Sequence, residues 1–208
     1  MGATNGEDDF VIMDNGVIEL GKAMAFQAVI EAADIVQADC IIMPDVVGDY
    51  KATRKAVEAE WEIINNCDYS IMKVPQGDTD KELIQCVEWL AATFPRDIVD
   101  YWGIPRCITN NARMGSRAPI IDYINNICLN AQIHLLGMSD NFKDDIECSK
   151  KYHVMGIDSA NPIILGLMNV SINELWSHTS NSRYVHPKRG NYWEAEDINY
   201  NVLRNIRH

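Results

Sequence analysis

The chain of 208 residues lacks any run of about 18 apolar residues, so no segment predicts a membrane-spanning helix. Residues 1–9 are polar and acidic, whereas a secretory signal peptide needs a basic start and an apolar centre. The six cysteines form no CxxC or CxC pair of the kind that holds zinc. We therefore expect a cytoplasmic protein with no membrane contact and no metal site, whose thiols are reduced and mostly buried.

Basic residues are also scarce, since 18 Lys and Arg stand against 30 Asp and Glu and give a net charge of −12. Affinity for nucleic acid comes largely from cations that neutralise phosphates, so this charge argues against broad capture of nucleic acid. Any such surface must be local. The basic tail within 170–208 is the best candidate, and a solvated segment without a partner is the alternative. Its predicted contacts are Arg183, Lys188 and Arg189, with His186, Arg204 and Arg207 nearby.

The hydrophobic content of 47% is ordinary for one soluble domain, here 1–208 with an irregular tail. Short β-rich runs alternate with longer segments of helical periodicity, which indicates βα units around a parallel sheet. The predicted strands are Phe10–Asp14, Cys40–Val46, Tyr69–Pro75, Tyr101–Pro105, Gln132–Gly137 and His153–Asp158.

Apolar residues at three- and four-residue spacing predict the helices between these strands, and Asp78 is expected to cap one of them. A further helix is predicted over Ile163–Asn169, and Asn181–Asn191 looks irregular. The helices predicted between strands are Ala23–Gln37, Tyr50–Asn65, Asp78–Ala92, Pro119–Asn130 and Asn141–Tyr152.

Four polar residues, Asp14, Asp45, Gln76 and Asp158, fall at or just beyond the carboxyl ends of separate strands. In a (β/α) barrel all strands deliver these ends to one face, where active sites assemble. The alternative is that each Asp merely forms a turn or caps a helix. Four polar ends on separate strands favour a shared site.

Six short motifs follow one another, one per predicted βα unit. They are Asp14-Asn15-Gly16, Met43-Pro44-Asp45 with Ala52-Thr53-Arg54 after it, Val74-Pro75-Gln76-Gly77, Tyr101-Trp102-Gly103-Ile104, His134-Leu135-Leu136-Gly137 and Gly156-Ile157-Asp158-Ser159-Ala160.

This series resembles the strand-end motifs of the tRNA-guanine transglycosylase superfamily, in the short, zinc-free form typical of phages, over residues 10–162. The resemblance implies an α/β fold of the TIM-like (β/α)-barrel type. In the family these motifs occupy the third to eighth strands, so two strands are missing ahead of Phe10. Either the chain is cut short or the barrel is incomplete, with six recognisable strands and edges that must be covered.

The resemblance also implies roles for individual residues. Asp158 matches the family's nucleophile, and Asp14 matches its acid/base residue. Asp45 takes the base-binding role, with Asp49 as the competing carboxylate. Gln76 would bind the base through its amide, while Gly103 and Ile104 would lie against it. For His134 a satisfied structural role is favoured over a functional one.

The expected activity is pentosyl transfer without a cofactor, in which guanine in nucleic acid is exchanged for a 7-deazaguanine base. DNA is favoured as the substrate because the family's zinc site and RNA-binding appendage are lacking, and tRNA is the alternative. A second hypothesis is a catalytically silent base-binding or regulatory subunit that pairs with a full-length barrel. A third is an unrelated barrel enzyme, such as an aldolase or a phosphatase. Dimers are common in the family, so a homodimer is expected.

Overall fold

The computed structural model describes residues 10–94, 100–110, 116–137, 142–152 and 154–158. These residues have an α/β structure whose strands form one all-parallel sheet, in which each strand pairs with the next along the chain. The sheet is curled into a half-barrel that is compatible with part of a TIM-like barrel. The six strands are β1 (Ile12–Met13), β2 (Cys40–Ile42), β3 (Ser70–Lys73), β4 (Asp100–Pro105), β5 (Ala131–Leu136) and β6 (Gly156–Ile157).

Eight helices lie within the described residues, and none of them has the length and apolar composition needed to cross a bilayer. Every predicted strand is confirmed with somewhat different bounds, whereas α1 and α6, of four residues each, are too short to leave a periodic pattern. The helices are α1 (Val17–Leu20), α2 (Phe26–Val36), α3 (Tyr50–Ala59), α4 (Trp61–Asn66), α5 (Asp80–Thr93), α6 (Cys107–Asn110), α7 (Ala118–Ile127) and α8 (Phe142–Tyr152).

Two predictions about helices are wrong. The single helix expected over Tyr50–Asn65 is broken at Glu60, where the Glu60 N–H donates to the Val57 carbonyl over 3.2 Å and tightens the last turn of α3. Asp78 does not cap α5. That role falls to Thr79, whose hydroxyl accepts from the Glu82 N–H at 3.2 Å. The predicted helix at 163–169 and the segment at 181–191 lie outside the described residues.

Side chains alternate between the two faces of the sheet, as strand geometry requires. The convex face packs against the helices in a large core that includes Ile41, Trp102 and Leu135. The concave face carries a smaller apolar layer made by Cys40, Ile42, Met72 and Val74, with Ile12, Tyr101 and Leu136 packed against it. The sheet is therefore apolar on both faces, which is typical of buried parallel strands.

The curl of the sheet is visible in an aromatic contact across its concave face. Phe10 precedes β1, and Tyr101 lies in β4, which is three strands away from β1 in the sheet. Neighbouring strands lie about 4.8 Å apart, so a flat sheet would separate β1 from β4 by about 14 Å. The two ring centroids are 5.3 Å apart, and the ring planes are inclined by 27° in a stacked arrangement. The two side chains therefore bridge the concave face between the start of β1 and β4.

A buried ion pair holds the convex side of the sheet. Lys73 is 2% exposed, and its ammonium group contacts the Asp100 carboxylate and donates to the Phe94 carbonyl at 3.1 Å. Trp102 lies beneath the same ammonium group, 4.7 Å from ring centroid to Nζ, and its indole N–H donates to Asp100 at 3.0 Å. Three groups thus satisfy one buried cation.

We predict that Lys73→Met lowers the free energy of unfolding by about 3–5 kcal/mol, because it leaves the Asp100 carboxylate enclosed without its counter-charge. Urea denaturation at pH 7 measures this change. Lys151→Met is the matched control, since the Lys151 and Asp122 pair is exposed and should leave stability nearly unchanged. Equal losses in the two variants would contradict a structural role for the buried pair.

Candidate functional site

A cavity of about 650 Å³ opens on the concave side of the half-barrel, at the carboxyl ends of the strands. Its floor is apolar and includes Ile12, Ile42 and Val74. Its upper wall is polar, because turns that leave different strands contribute side chains there. The polar residues of this wall are Asp14, Asn15, Glu19, Asp45, Gln76, Arg106, Cys107, His134 and Asp158.

Asp14 is positioned by a tight turn directly after β1. The Asn15 N–H donates to the Asp14 carboxylate at 2.8 Å, and the Val17 N–H donates to the Asn15 side-chain oxygen at 2.9 Å. Gly16 has a φ of 72°, which is a conformation that glycine adopts without strain. The Asp14-Asn15-Gly16 sequence therefore forms a turn that aims one carboxylate into the cavity.

Asp45 is almost completely buried, at 2% exposure, between two amide side chains. Asn15 donates to its Oδ1 at 2.7 Å, and Gln76 donates to its Oδ2 at 2.5 Å. Burial raises the pKa of Asp45, the two amide hydrogen bonds oppose this rise, and the charge of Asp14 adds to it. Each carboxylate oxygen keeps a second lone pair for another donor.

The two amides are themselves held in one orientation. The second proton of the Asn15 amide reaches the Met43 carbonyl at 2.7 Å, which uses both donors of that group. The side-chain oxygen of Gln76 accepts from the Gly48 N–H at 2.9 Å and from the Cys107 thiol at 3.7 Å. Gln76 therefore presents its nitrogen to Asp45 and keeps one N–H proton for another acceptor.

Asp158 follows β6 at the opposite end of the sheet and is open to the cavity, with 59% of its side chain exposed. The His134 Nε2 atom lies 3.2 Å from Asp158 Oδ1, and the Gly137 N–H donates to the same oxygen at 2.9 Å. Partial burial acts to raise the pKa of Asp158, but these two hydrogen bonds, together with the charge of His134 and the N–H of Asp158 itself, outweigh it and leave the pKa below its ordinary value.

Asp14 shows the opposite behaviour. Partial burial raises its pKa above the ordinary value, the Asn15 hydrogen bond opposes this rise, and the charges of Glu19 and Asp158 increase it. Asp14 and Asp158 line one cavity although they follow strands at opposite edges of the described sheet, which would lie about 24 Å apart if the sheet were flat. The two carboxylates face one cavity with unequal proton affinities.

The structure brings together Asp14, Asp45, Gln76 and Asp158, which the strand-end pattern had placed on one face. Three other residues predicted to lie at the base, Asp49, Gly103 and Ile104, do not line the cavity. Asp49 is exposed and caps α3 by accepting from the Ala52 N–H at 2.9 Å. Ile104 is fully buried in the convex core, because strand alternation turns it away from the concave side.

Gly103 faces the concave side but is covered by its neighbours. A Cβ atom at this position would lie 2.6 Å from Leu136 Cδ1 and 3.0 Å from the sulfur of Met72. The glycine therefore leaves room for packing within the floor of the cavity. The tail residues predicted to contact nucleic acid, Arg183, Lys188 and Arg189, lie outside the described part of the chain.

Asn15, Arg106 and Cys107 were not assigned a role from the sequence, and His134 was expected to have a structural one. Asn15 lies within the first motif, but its local sequence does not indicate that its amide turns toward Asp45. His134 alternates onto the concave face and reaches Asp158. Arg106 and Cys107 enter the wall through the turn after β4 and the short α6, neither of which has a sequence signature.

All six cysteines are free, three of them buried and three half-buried. Burial raises the pKa of Cys86 to about 12 and of Cys107 above its ordinary value, so both thiols near Asp45 stay protonated at neutral pH. Over the described ranges, no three His, Cys, Asp or Glu side chains form a group that could hold a metal ion.

No protein-family model matches this chain, and no curated protein matches it.

We predict that Asn15→Asp lowers the free energy of unfolding by about 1–3 kcal/mol at pH 7, because it removes a hydrogen bond from Asp45 and sets a second carboxylate against it. The loss should shrink as the pH falls, since a shared proton relieves the repulsion. Urea denaturation at pH 7 and pH 5 measures both effects. Asn125→Asp, on the exposed side of α7, serves as the control. A loss that does not depend on pH would contradict the contact with Asp45.

We also predict that the two cavity carboxylates titrate on opposite sides of the ordinary value of 3.8, with Asp14 above it and Asp158 below it. The ionised Asp158 then contributes stability above 3.8, which is lost as the pH falls through its lower folded pKa. Ionisation of Asp14 acts in the opposite direction and weakens the fold as the pH rises through its higher folded pKa.

Carboxyl ¹³C NMR of the protein labelled at aspartate measures these titrations, and Asp14→Asn and Asp158→Asn assign the two signals. Coincident titration of the two carboxylates would show that their surroundings do not differ in the way described.

Proposed function

We propose that the protein is a base-exchange transglycosylase that replaces guanine in nucleic acid by a 7-deazaguanine base through a covalent bond between Asp158 and the sugar. One observation carries the proposal. Carboxylates from the first and last strands face the same cavity, and their environments shift their pKa values in opposite directions. Such a pair suits chemistry that needs one ionised nucleophile and one proton donor.

In the first step an oxygen of Asp158 forms a bond to C1′ of the sugar as the C1′–N9 bond breaks. The bonding pair leaves with the guanine, which takes a proton from Asp14. In the second step the ionised Asp14 takes the proton from N9 of the incoming base, N9 attacks C1′, and the bond to Asp158 breaks. Two inversions at one carbon keep the β configuration.

Recognition of the base would fall to Asp45 and Gln76. The free lone pairs of Asp45 suit the N1–H and the exocyclic amino group of guanine, and the remaining Gln76 N–H suits the carbonyl oxygen. Adenine presents an acceptor where guanine presents N1–H, so it would leave a buried acceptor unpaired at a cost of about 1–3 kcal/mol. Two donated hydrogen bonds would also offset the burial that raises the pKa of Asp45.

The target nucleotide must leave its stack to reach such a cavity, as base-modifying enzymes require. DNA remains the favoured polymer, and tRNA the alternative, for the reasons given by the sequence. The aldolase alternative loses support, because Lys73 is held in a buried ion pair on the convex side, away from the cavity. A Schiff-base lysine would have to face the substrate.

The silent-subunit hypothesis keeps one specific observation in its favour. The described sheet is a half-barrel of six strands, and β1 and β6 are its edges. A subunit that binds a base and pairs with a full-length barrel would use Asp45 and Gln76 without the nucleophilic role of Asp158. A second copy of the chain, in a homodimer, is another way to cover an edge.

The decisive experiment incubates the protein with radiolabelled guanine and either duplex DNA or tRNA. We expect the wild type to incorporate label into DNA, and Asp158→Ala to incorporate none. Asp14→Asn should slow incorporation by roughly 10²–10⁴-fold, because the departing base loses its proton donor. Asp122→Asn is the matched control. It removes an exposed carboxylate on α7 that does not line the cavity, so it should retain full activity.

A denaturation-resistant adduct between protein and polymer, formed by the wild type and absent from Asp158→Ala, would identify the nucleophile. Label in tRNA alone would assign the other polymer. Label in neither polymer would overturn the exchange reaction. In that case, guanine binding measured by calorimetry, and its loss in Asp45→Ala, would support the silent subunit.

A further inference from the structure

Within the described residues, two groups from β5 and the turn after it hold one oxygen of the Asp158 carboxylate. Oδ1 accepts the Gly137 N–H at 2.9 Å and lies 3.2 Å from His134 Nε2. No described residue other than Asp158 itself, whose own N–H also contacts the carboxylate, donates to Oδ2. An ionised carboxylate can only accept, so His134 must carry its proton on Nε2 in this contact. Oδ1 is thus anchored by two donors, while Asp158 lines the cavity with 59% of its side chain exposed.

The neighbouring strand β6 limits the position of the His134 ring. His134 pairs with Gly156 in the register of β5 and β6. A Cβ atom at position 156 would lie 3.3 Å from His134 Cε1 and 3.4 Å from Nδ1. The absence of a side chain at Gly156 therefore leaves room for the imidazole close to β6, with its Nε2 atom 3.2 Å from Asp158 Oδ1.

The second donor, the Gly137 N–H, is held in place through its own peptide group. The peptide group that joins Leu136 to Gly137 donates its N–H to Asp158, while its carbonyl accepts from the Arg106 N–H at 3.0 Å and from the Arg117 guanidinium at 3.3 Å. Hydrogen bonds at both ends of one peptide polarise it and strengthen each other. Gly137 has a φ of 66°, which lets the chain turn sharply here.

Arg117 is itself fully buried and forms an ion pair with Asp145, so the peptide is held by a rigid group. His134 and the 136–137 peptide thus approach Asp158 Oδ1 from two directions. Neither group can follow the carboxylate if it rotates, and rotation would break both hydrogen bonds. The carboxylate is therefore held in one orientation before any substrate binds.

We propose that His134 is a positioning residue that, with the Leu136–Gly137 peptide, anchors Oδ1 of Asp158 and makes Oδ2 the oxygen that attacks C1′. The inference rests on the proposed function and assigns the reacting atom within it. The new bond joins Oδ2 to C1′, the C1′–N9 pair leaves with the base, and Oδ1 keeps its two donors throughout. His134 exchanges no proton in this step.

Two matched substitutions separate the two nitrogens of the ring. The side-chain nitrogen of Gln lies about as far from Cβ as Nε2 does, whereas that of Asn corresponds to Nδ1. We expect His134→Asn to lower kcat for guanine exchange by about 10–100-fold with KM nearly unchanged, because a misplaced nucleophile slows the chemical step and not binding. His134→Gln should restore most of kcat. Equal activity in the two variants would overturn the proposal.

A second measurement tests the contact without relying on catalysis. In the ¹³C titration, the pKa of Asp158 should rise in His134→Asn and stay low in His134→Gln, since only the latter can still donate to Oδ1. Thermal unfolding checks that both variants are folded. A pKa of Asp158 that does not respond to either substitution would remove the anchoring role.

The two outcomes distinguish this inference from the function on which it rests. If the Asp158 titration moves as expected but the wild type exchanges no label, the hydrogen bond stands and the attack by Oδ2 falls with the proposed function. If the wild type exchanges guanine while His134→Asn does so at the wild-type rate, the proposed function stands and the positioning role is wrong.

Discussion

The curvature of the parallel sheet is the constraint on which the candidate site depends. Strands β1 and β6 are the two edges of the described sheet, and in a flat arrangement their ends would be too far apart for their side chains to meet. The stacked rings of Phe10 and Tyr101 bridge the concave side of this half-barrel. As a result Asp14 and Asp158, from opposite edges, share one cavity.

Enclosing several carboxylates in one cavity is costly unless their surroundings differ, and the structure supplies three different environments. Asp158 has a backbone donor and an imidazole, Asp14 has backbone donors and acidic neighbours, and Asp45 lies between two amides. The polar network is thus what allows three acids to remain near one another. Their unequal proton affinities follow from which donors each one has.

Much of this arrangement could be predicted from the sequence. Hydrophobic runs identified the six strands, and the polar residue after each run identified Asp14, Asp45, Gln76 and Asp158, because the carboxyl ends of parallel strands meet at one edge. Ile104 was expected on the wrong face of the sheet, because a shift of one residue along a strand moves a side chain from one face to the other.

The remainder depends on contacts that no local pattern records. The amide of Asn15, after β1, reaches Asp45 at the end of the neighbouring strand β2, and the break at Glu60 reflects one tightened turn within an otherwise continuous helical pattern. Asp49 and Asp78 were misjudged for a related reason. Both a capping residue and a catalytic residue are short polar side chains at the end of a strand or the start of a helix, and only the acceptor geometry separates them.

The agreement between strand order and chain order has a consequence for how the protein is synthesised. Each strand pairs with the one made just before it, so every βα unit can dock onto the growing sheet soon after it leaves the ribosome. Among the described strands, the one that leads to Asp158 is the last to join. The described sheet can therefore form gradually, but Asp14, Asp45 and Asp158 share one cavity only after β6 has docked.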